Sequence, residues 1–178
     1  MSLRISFELD ESDLKHFRLI MEEARKAAGQ MAPEDIVAGA EHLLKDVSES
    51  SAPGFIVDRI RKLRLMIDML SDLEWRLPHQ EAARVLNALA YFANPEDLIP
   101  DHIPGLGFLD DAIMIELVVR ELKHEIEAYQ DFCDFRDRTL NEQGEKANVS
   151  RAGWLQDRRK ALQSRMRRRH KGRPGLLR

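Results

Sequence analysis

Apolar residues recur at every third or fourth position along most of the chain, and this spacing restricts the fold more than any other feature. The first such stripe begins at Leu14, after a potential helix N-cap at Asp10, and ends before Gly29. The same spacing returns in four further segments: 36–47, 55–73, 82–92 and 113–133. Pro, Gly and Asn residues separate the segments, as expected for turns between helices. The sequence therefore predicts an all-α fold, a helical bundle of about five helices.

The N-terminal residues show a different spacing of apolar side chains. Residues 3–9 alternate apolar and polar side chains with a period of two, which is typical of a half-buried strand. No second segment of this kind is available to pair with it. We therefore expect a short strand or extended arm, which either packs on the helices or pairs with its copy in a homodimer.

Charge is distributed very unevenly along the chain. The 28 basic and 31 acidic residues give a net charge of only -3. Residues 1–150, however, hold 17 basic and 30 acidic residues, a net charge of -13, whereas residues 151–178 hold 11 basic residues and one acidic residue, a net charge of +10. We predict an acidic helical domain over residues 1–143, followed by a linker and a basic C-terminal helix or tail over residues 144–178. Ser150 is placed to cap that helix, which we expect to end near Gly172.

The basic C-terminal segment indicates a polyanionic partner. Arginine binds phosphate in a bidentate manner, and such binding weakens strongly with salt. With Trp154 as the only aromatic residue there, we expect contact with anionic lipid or non-specific contact with nucleic acid rather than base recognition. The alternative is a disordered solubilising tail, or a tail that folds back on the acidic domain. The candidate polyanion-binding residues are Arg158, Arg159, Lys160, Arg165, Arg167, Arg168, Arg169 and Lys171.

Several classes of protein are disfavoured. A single cysteine, Cys133, excludes an intramolecular disulfide framework, and its place in an amphipathic segment favours a core residue over a nucleophile. We expect no leader peptide and no membrane-spanning helix, because the sequence has neither a charged and apolar leader pattern nor an uncharged apolar run long enough to span a bilayer. Phosphate-binding glycine loops and zinc-spaced cysteines are lacking. These features favour a cytoplasmic, non-enzymatic protein without a cofactor, with peripheral membrane contact as a second option.

One segment resembles a known family. The run from Asn94 to Asp111 combines Pro, Asp and Gly at fixed positions, as in Asn-Pro-Glu-Asp-Leu-Ile-Pro-Asp-His-Ile-Pro and the later Asp110-Asp111 pair. Together with its flanks, residues 77–122, it resembles the YkvA-like family, a domain of unknown function. Asn94 stands where this family usually has Ser, and His102 stands where an apolar residue is common. The resemblance implies membrane association for some members and assigns no activity.

The aspartates of this segment form a candidate metal site. Its prolines stiffen the connection between two helices, so that nearby side chains are held in fixed positions. A divalent cation such as Mg²⁺ or Ca²⁺ would bind carboxylate oxygens, either for metal binding alone or in a metal-dependent hydrolase-like site. The opposing interpretation is structural, because Asp commonly closes turns and stabilises helix N-termini. The candidate ligands are Asp97, Asp101, Asp110 and Asp111.

Taken together, these features predict an interaction or adaptor protein. Its helical domain would dock an unidentified protein partner and its basic tail would contact a polyanion. A divalent-cation site and a peripheral membrane protein are the two alternatives.

Overall fold

The structure, a computed structural model, describes residues 6, 8–93, 107–144 and 149–171, without the side chains of residues 162, 163 and 165–171. In these residues it contains seven α-helices and one 3₁₀ helix. The α-helices are α1 (Glu11–Ala28), α2 (Pro33–Ser48), α3 (Gly54–Ser71), α4 (His79–Ala88), α5 (Leu109–Glu121), α6 (Lys123–Gln143) and α7 (Arg151–Lys171), and the 3₁₀ helix is Ala90–Ala93. The all-α prediction is confirmed, but the expected number of about five helices is wrong.

Leu122 accounts for one of the additional helices. The sequence predicts one long helix through this region, yet Leu122 has φ -99° and ψ 20°, so α5 ends there and α6 begins at the next residue. The Leu122 N–H still donates to the Val118 carbonyl, and the Leu122 carbonyl accepts from the Ile126 N–H, both at 2.9 Å. Because the buried apolar stripe continues through this break, periodicity alone does not reveal it.

The predicted N-terminal strand is not observed. Ser6, Glu8 and Leu9 belong to no strand, and the other residues of the segment 3–9 lie outside the described residues. The first regular element is instead α1, which begins as predicted after Asp10. The Asp10 carboxylate accepts from the Asp13 N–H at 2.9 Å and the Asp13 carboxylate accepts from the Asp10 N–H at 3.0 Å, a reciprocal capping box.

Contacts divide the chain into two compact units. The first comprises Met1–Ser71 and Leu77–Ile126, and the second comprises Asp72–Arg76 and Glu127–Arg178. The two are interleaved in sequence, because a five-residue segment between α3 and α4 belongs to the second unit. The predicted division at residue 143 stays a prediction.

The first unit is built around a close approach between α2 and the 3₁₀ helix. A Cβ atom added at Gly39 would lie 2.5 Å from the Cα atom of Ala93 and 2.6 Å from the carbonyl oxygen of Phe92. Any side chain at residue 39 would therefore push the two backbones apart. Tyr91 and Phe92 of the 3₁₀ helix are almost completely buried.

The second unit has a small aromatic core of its own. The ring centroid of Trp75 lies 5.5 Å from that of Tyr129, 5.0 Å from that of Phe132 and 5.2 Å from that of Trp154. All four side chains are buried, and their spacing is typical of tilted and edge-to-face aromatic pairs. Trp75 comes from the 72–76 segment, Tyr129 and Phe132 come from α6, and Trp154 comes from α7.

Candidate functional site

The basic helix α7 is anchored by its first turn. Ser150 caps it as predicted, because its hydroxyl oxygen accepts from the Gly153 N–H at 3.1 Å. Trp154 is 7% exposed, and its indole Nε1 donates to the Asp131 carboxylate at 2.7 Å. A buried indole with its N–H paired attaches α7 to α6 through both packing and a hydrogen bond to a charged acceptor.

Two arginines add to this attachment. The Arg151 guanidinium lies 4.5 Å from the ring centroid of Trp75 and donates to the Arg76 carbonyl oxygen at 3.3 Å. The Arg158 guanidinium lies 3.1 Å from the Asp131 carboxylate, which thus contacts two residues of α7. The N-terminal half of α7 is therefore a fixed part of the second unit.

The predicted polyanion-binding residues are placed only in part. Arg158, Arg159 and Lys160 are exposed on α7. In the part of the chain that the structure describes, Arg159 and Lys160 make no ion pair. The backbone positions of the other five belong to α7, and their side chains lie outside the described residues; they are Arg165, Arg167, Arg168, Arg169 and Lys171.

Burial of Trp154 changes what α7 offers to a ligand. Base stacking on an aromatic side chain requires an accessible ring face. The sequence identifies Trp154 as the only aromatic residue of the basic segment, and the structure places that ring inside the aromatic core. The described part of α7 therefore presents cations without a stacking platform.

A charged network around Asp72 supports the aromatic core. One carboxylate oxygen of Asp72 accepts from the N–H groups of Glu74 and Trp75, at 3.0 and 3.1 Å. The other accepts from the Tyr129 hydroxyl at 2.8 Å and from the Arg136 guanidinium at 2.7 Å. Burial by itself would raise the pKa of Asp72, but these hydrogen bonds outweigh it and hold that pKa below its usual value. The sequence gives no indication of this network, because its members lie far apart in the chain.

Cys133 and Tyr129 are next to this carboxylate. Burial, followed by the hydrogen bond to Asp72, raises the pKa of the Tyr129 hydroxyl, which therefore stays protonated and donates. Burial also raises the pKa of the Cys133 thiol. A thiol with a raised pKa is a poor nucleophile, which agrees with the predicted packing role of Cys133.

The four candidate metal ligands are not brought together by anything the structure describes. Asp110 and Asp111 are in the first turn of α5, only 1% and 2% exposed, and the Asp111 N–H donates to the Asp110 carboxylate at 3.0 Å. Acidic residues at this place interact favourably with the helix dipole. Asp97 and Asp101 lie outside the described residues, and the described ones contain no group of three or more metal-ligating side chains. The cation site stays a prediction.

The segment just before α5 is strained. Phe108 has φ 66°, a left-handed conformation that is unfavourable for a bulky residue, and its side chain is 6% exposed. Burial of the phenyl ring offsets the backbone strain. The sequence does not reveal this conformation, because glycine is the residue expected to adopt it and Gly107 is next to Phe108.

The described residues thus form an all-helical protein in which a left-handed Phe108 precedes α5, and the first turn of α5 carries Asp110 and Asp111. A family model described as "Protein of unknown function (DUF1232)" matches residues 82–117. The chain is also 35% identical over 77 residues to the "Uncharacterized membrane protein YkvA" of Bacillus subtilis (strain 168), an alignment that covers 40% of this chain and 71% of that protein. The chain belongs to this YkvA-like family of unknown function, which confirms the resemblance found in the sequence. No solved structure matches it.

Among the helices in the described ranges, none combines the length and the apolar character that crossing a bilayer requires.

Proposed function

We propose that this protein is a non-enzymatic interaction protein that attaches to an anionic membrane surface through α7. The observation that carries the proposal is that α7 is anchored at its N-terminal end, while basic residues further along it are exposed. Trp154 and Arg151 fix its start within the second unit, while Arg159 and Lys160 are exposed. Residues 151–178 have a net charge of +10, enough for electrostatic attraction to acidic phospholipids.

Two observations favour a membrane over a nucleic acid as the partner of α7. Trp154 is buried, so the described side chains of α7 include no accessible ring on which bases can stack. The Bacillus subtilis relative is described as a membrane protein, and a peripheral attachment agrees with that description. The cytoplasmic location expected from the sequence is part of this proposal.

A clean test removes charge and leaves the fold intact. Deletion of residues 151–178 is unsuitable because it would also remove Trp154 from the aromatic core. The better variant replaces four cations of α7 by glutamine: Arg159, Lys160, Arg165 and Arg169. A matched control removes four exposed cations of the first unit and changes the net charge equally: Lys15, Lys26, Lys62 and Arg64.

The assay is co-sedimentation with phosphatidylserine-containing vesicles and with neutral vesicles, at low and high ionic strength. Each basic residue near an acidic membrane contributes about 1 kcal/mol. The α7 variant should therefore bind at least about 100-fold more weakly than the wild type, while the control binds normally. Equal binding by the wild type and the α7 variant would contradict the proposal. Salt-sensitive binding to RNA without binding to anionic vesicles would show that the partner is a nucleic acid.

A further inference from the structure

An open apolar groove lies within the first unit, between α2, α3 and α4. Its volume is about 510 Å³. Ile67 at its base is buried, and the side chains of Val37, Leu70 and Leu86 are half-buried.

Each helix lines the groove with residues from one of its faces. From α2 come residues 34, 37, 38 and 41, and from α4 come residues 82 and 86, spacings that place side chains on one side of a helix. Residues 67, 70 and 71 of α3 form the third wall. The groove is therefore a continuous surface made by three packed helices.

The rim of the groove carries uncompensated negative charge. Glu34 and Glu41 are exposed, two helical turns or about 10.5 Å apart along α2. Within the described part of the chain, neither forms an ion pair or a side-chain hydrogen bond, and no cation is among the described residues that line the groove.

Three acidic residues elsewhere in this unit are paired with arginines. Glu116 lies 3.5 Å from Arg59, and Glu121 lies 2.6 Å from Arg25. Glu125 forms an ion pair with Arg84. An apolar surface bordered by two unpaired carboxylates complements a ligand that is both apolar and cationic.

We propose that this groove binds a basic amphipathic helix of a partner protein. In the common helix-in-groove mode, apolar side chains at positions i, i+3 or i+4, and i+7 enter the groove. Lys or Arg residues beside that stripe, two turns apart, would then lie opposite Glu34 and Glu41. An acidic helix would be repelled by the same carboxylates. This surface would supply the protein-docking half of the adaptor function, and it does not depend on α7.

The test uses the full-length chain and a synthetic helical peptide of leucine and lysine, with leucine at i, i+4 and i+7. A second peptide of the same pattern has glutamate in place of lysine. We expect fluorescence anisotropy to show salt-sensitive binding of the lysine peptide and much weaker binding of the glutamate peptide. Failure of the lysine peptide to bind would overturn the proposal, whatever the result of the vesicle experiment.

Two variants locate the binding. Glu34→Lys with Glu41→Lys should weaken it at least about tenfold. Glu49→Lys with Asp68→Lys is the control: it makes the same change in net charge at exposed residues that do not line the groove. An equal loss in both double variants would overturn the proposal in favour of general electrostatic attraction.

A third variant blocks the apolar surface without a charge change. Ala38 is exposed on the α2 face of the groove, so Ala38→Gln fills part of the groove and leaves the core untouched. We expect this variant to lose peptide binding. If instead the chain alone self-associates and Ala38→Gln abolishes that association, the occupant is a second copy, and the assignment to a separate partner is wrong.

Discussion

The substitution Gly39→Ala tests the packing on which the first unit depends. In an isolated helix this change would be favourable, because alanine is about 0.8–1.0 kcal/mol better than glycine in a helix interior. In the structure, the new Cβ atom would lie 2.5 Å from the Cα atom of Ala93 and 2.6 Å from the carbonyl oxygen of Phe92. Carbon atoms in good contact are about 3.5–4.0 Å apart, so the backbones must separate by about 1 Å.

Overpacking of a core typically costs about 1–3 kcal/mol, and sometimes more. This contact involves backbone on both sides and cannot be relieved by a change of rotamer, so we take the upper part of that range. After the helix-propensity gain, the net loss of unfolding free energy is about 1–2 kcal/mol. For a chain of this length, 1 kcal/mol corresponds to about 2–4 °C in Tm. We therefore expect Tm to fall by about 2–8 °C.

The matched control for this substitution is Gly54→Ala. Gly54 is the first residue of α3, and a Cβ atom added there would have no heavy atom within 4 Å. Thermal unfolding followed by far-UV circular dichroism should show a Tm that is unchanged or slightly raised in this variant. A Gly39→Ala protein as stable as the control would refute the argument that α2 and the 3₁₀ helix require glycine at their contact.

Three further predictions concern the second unit. Trp154→Phe removes the hydrogen bond to the Asp131 carboxylate and should lower the unfolding free energy by about 1–3 kcal/mol. The control Leu155→Ala, at an exposed position, should change the unfolding free energy by less than about 0.5 kcal/mol. Urea unfolding measures both variants. Tyr129→Phe should destabilise the protein at neutral pH, because it removes a hydrogen bond to the ionised Asp72. The lowered pKa of Asp72 contributes stability that is present above the unfolded-state pKa and is lost as pH falls through the folded-state pKa. The difference between Tyr129→Phe and the wild type should therefore shrink below about pH 4, and a constant difference from pH 3 to pH 7 would contradict this account. Cys133 should react with a thiol reagent more slowly in the folded protein than in urea, because burial raises its pKa; equal rates would refute its packing role.

The helices of the first unit are largely predictable from the sequence, because local signals specify them. Asp10 and Pro33 mark helix starts by their own chemistry, and both starts are observed. The end of α4 is less predictable. The apolar spacing continues to Phe92, but α4 ends at Ala88 and a 3₁₀ helix follows. Periodicity does not distinguish an α-helix from a short 3₁₀ continuation with the same buried face.

The candidate sites are less predictable, since they depend on contacts between distant residues. The basic composition of α7 is visible in the sequence, but the contact between Trp154 and Trp75 joins residues that are 79 positions apart. From the sequence alone, Gly39 is a residue of low helix propensity within α2. The structure shows that it is needed there because Ala93 lies too close for a side chain. The aspartates belong to a pattern that specifies a family and does not by itself specify a ligand.

The second unit combines the 72–76 segment with the helices α6 and α7, which makes it suitable for a split-protein system. Its aromatic core joins Trp75, the α6 pair Tyr129 and Phe132, and Trp154 of α7, so the covalent link between α6 and α7 is not what holds these rings together. A chain cut between Gly144 and Val149 should reassemble by fragment complementation. Fusing each fragment to half of a reporter would turn the docking of α7 into a measurable signal in a living cell.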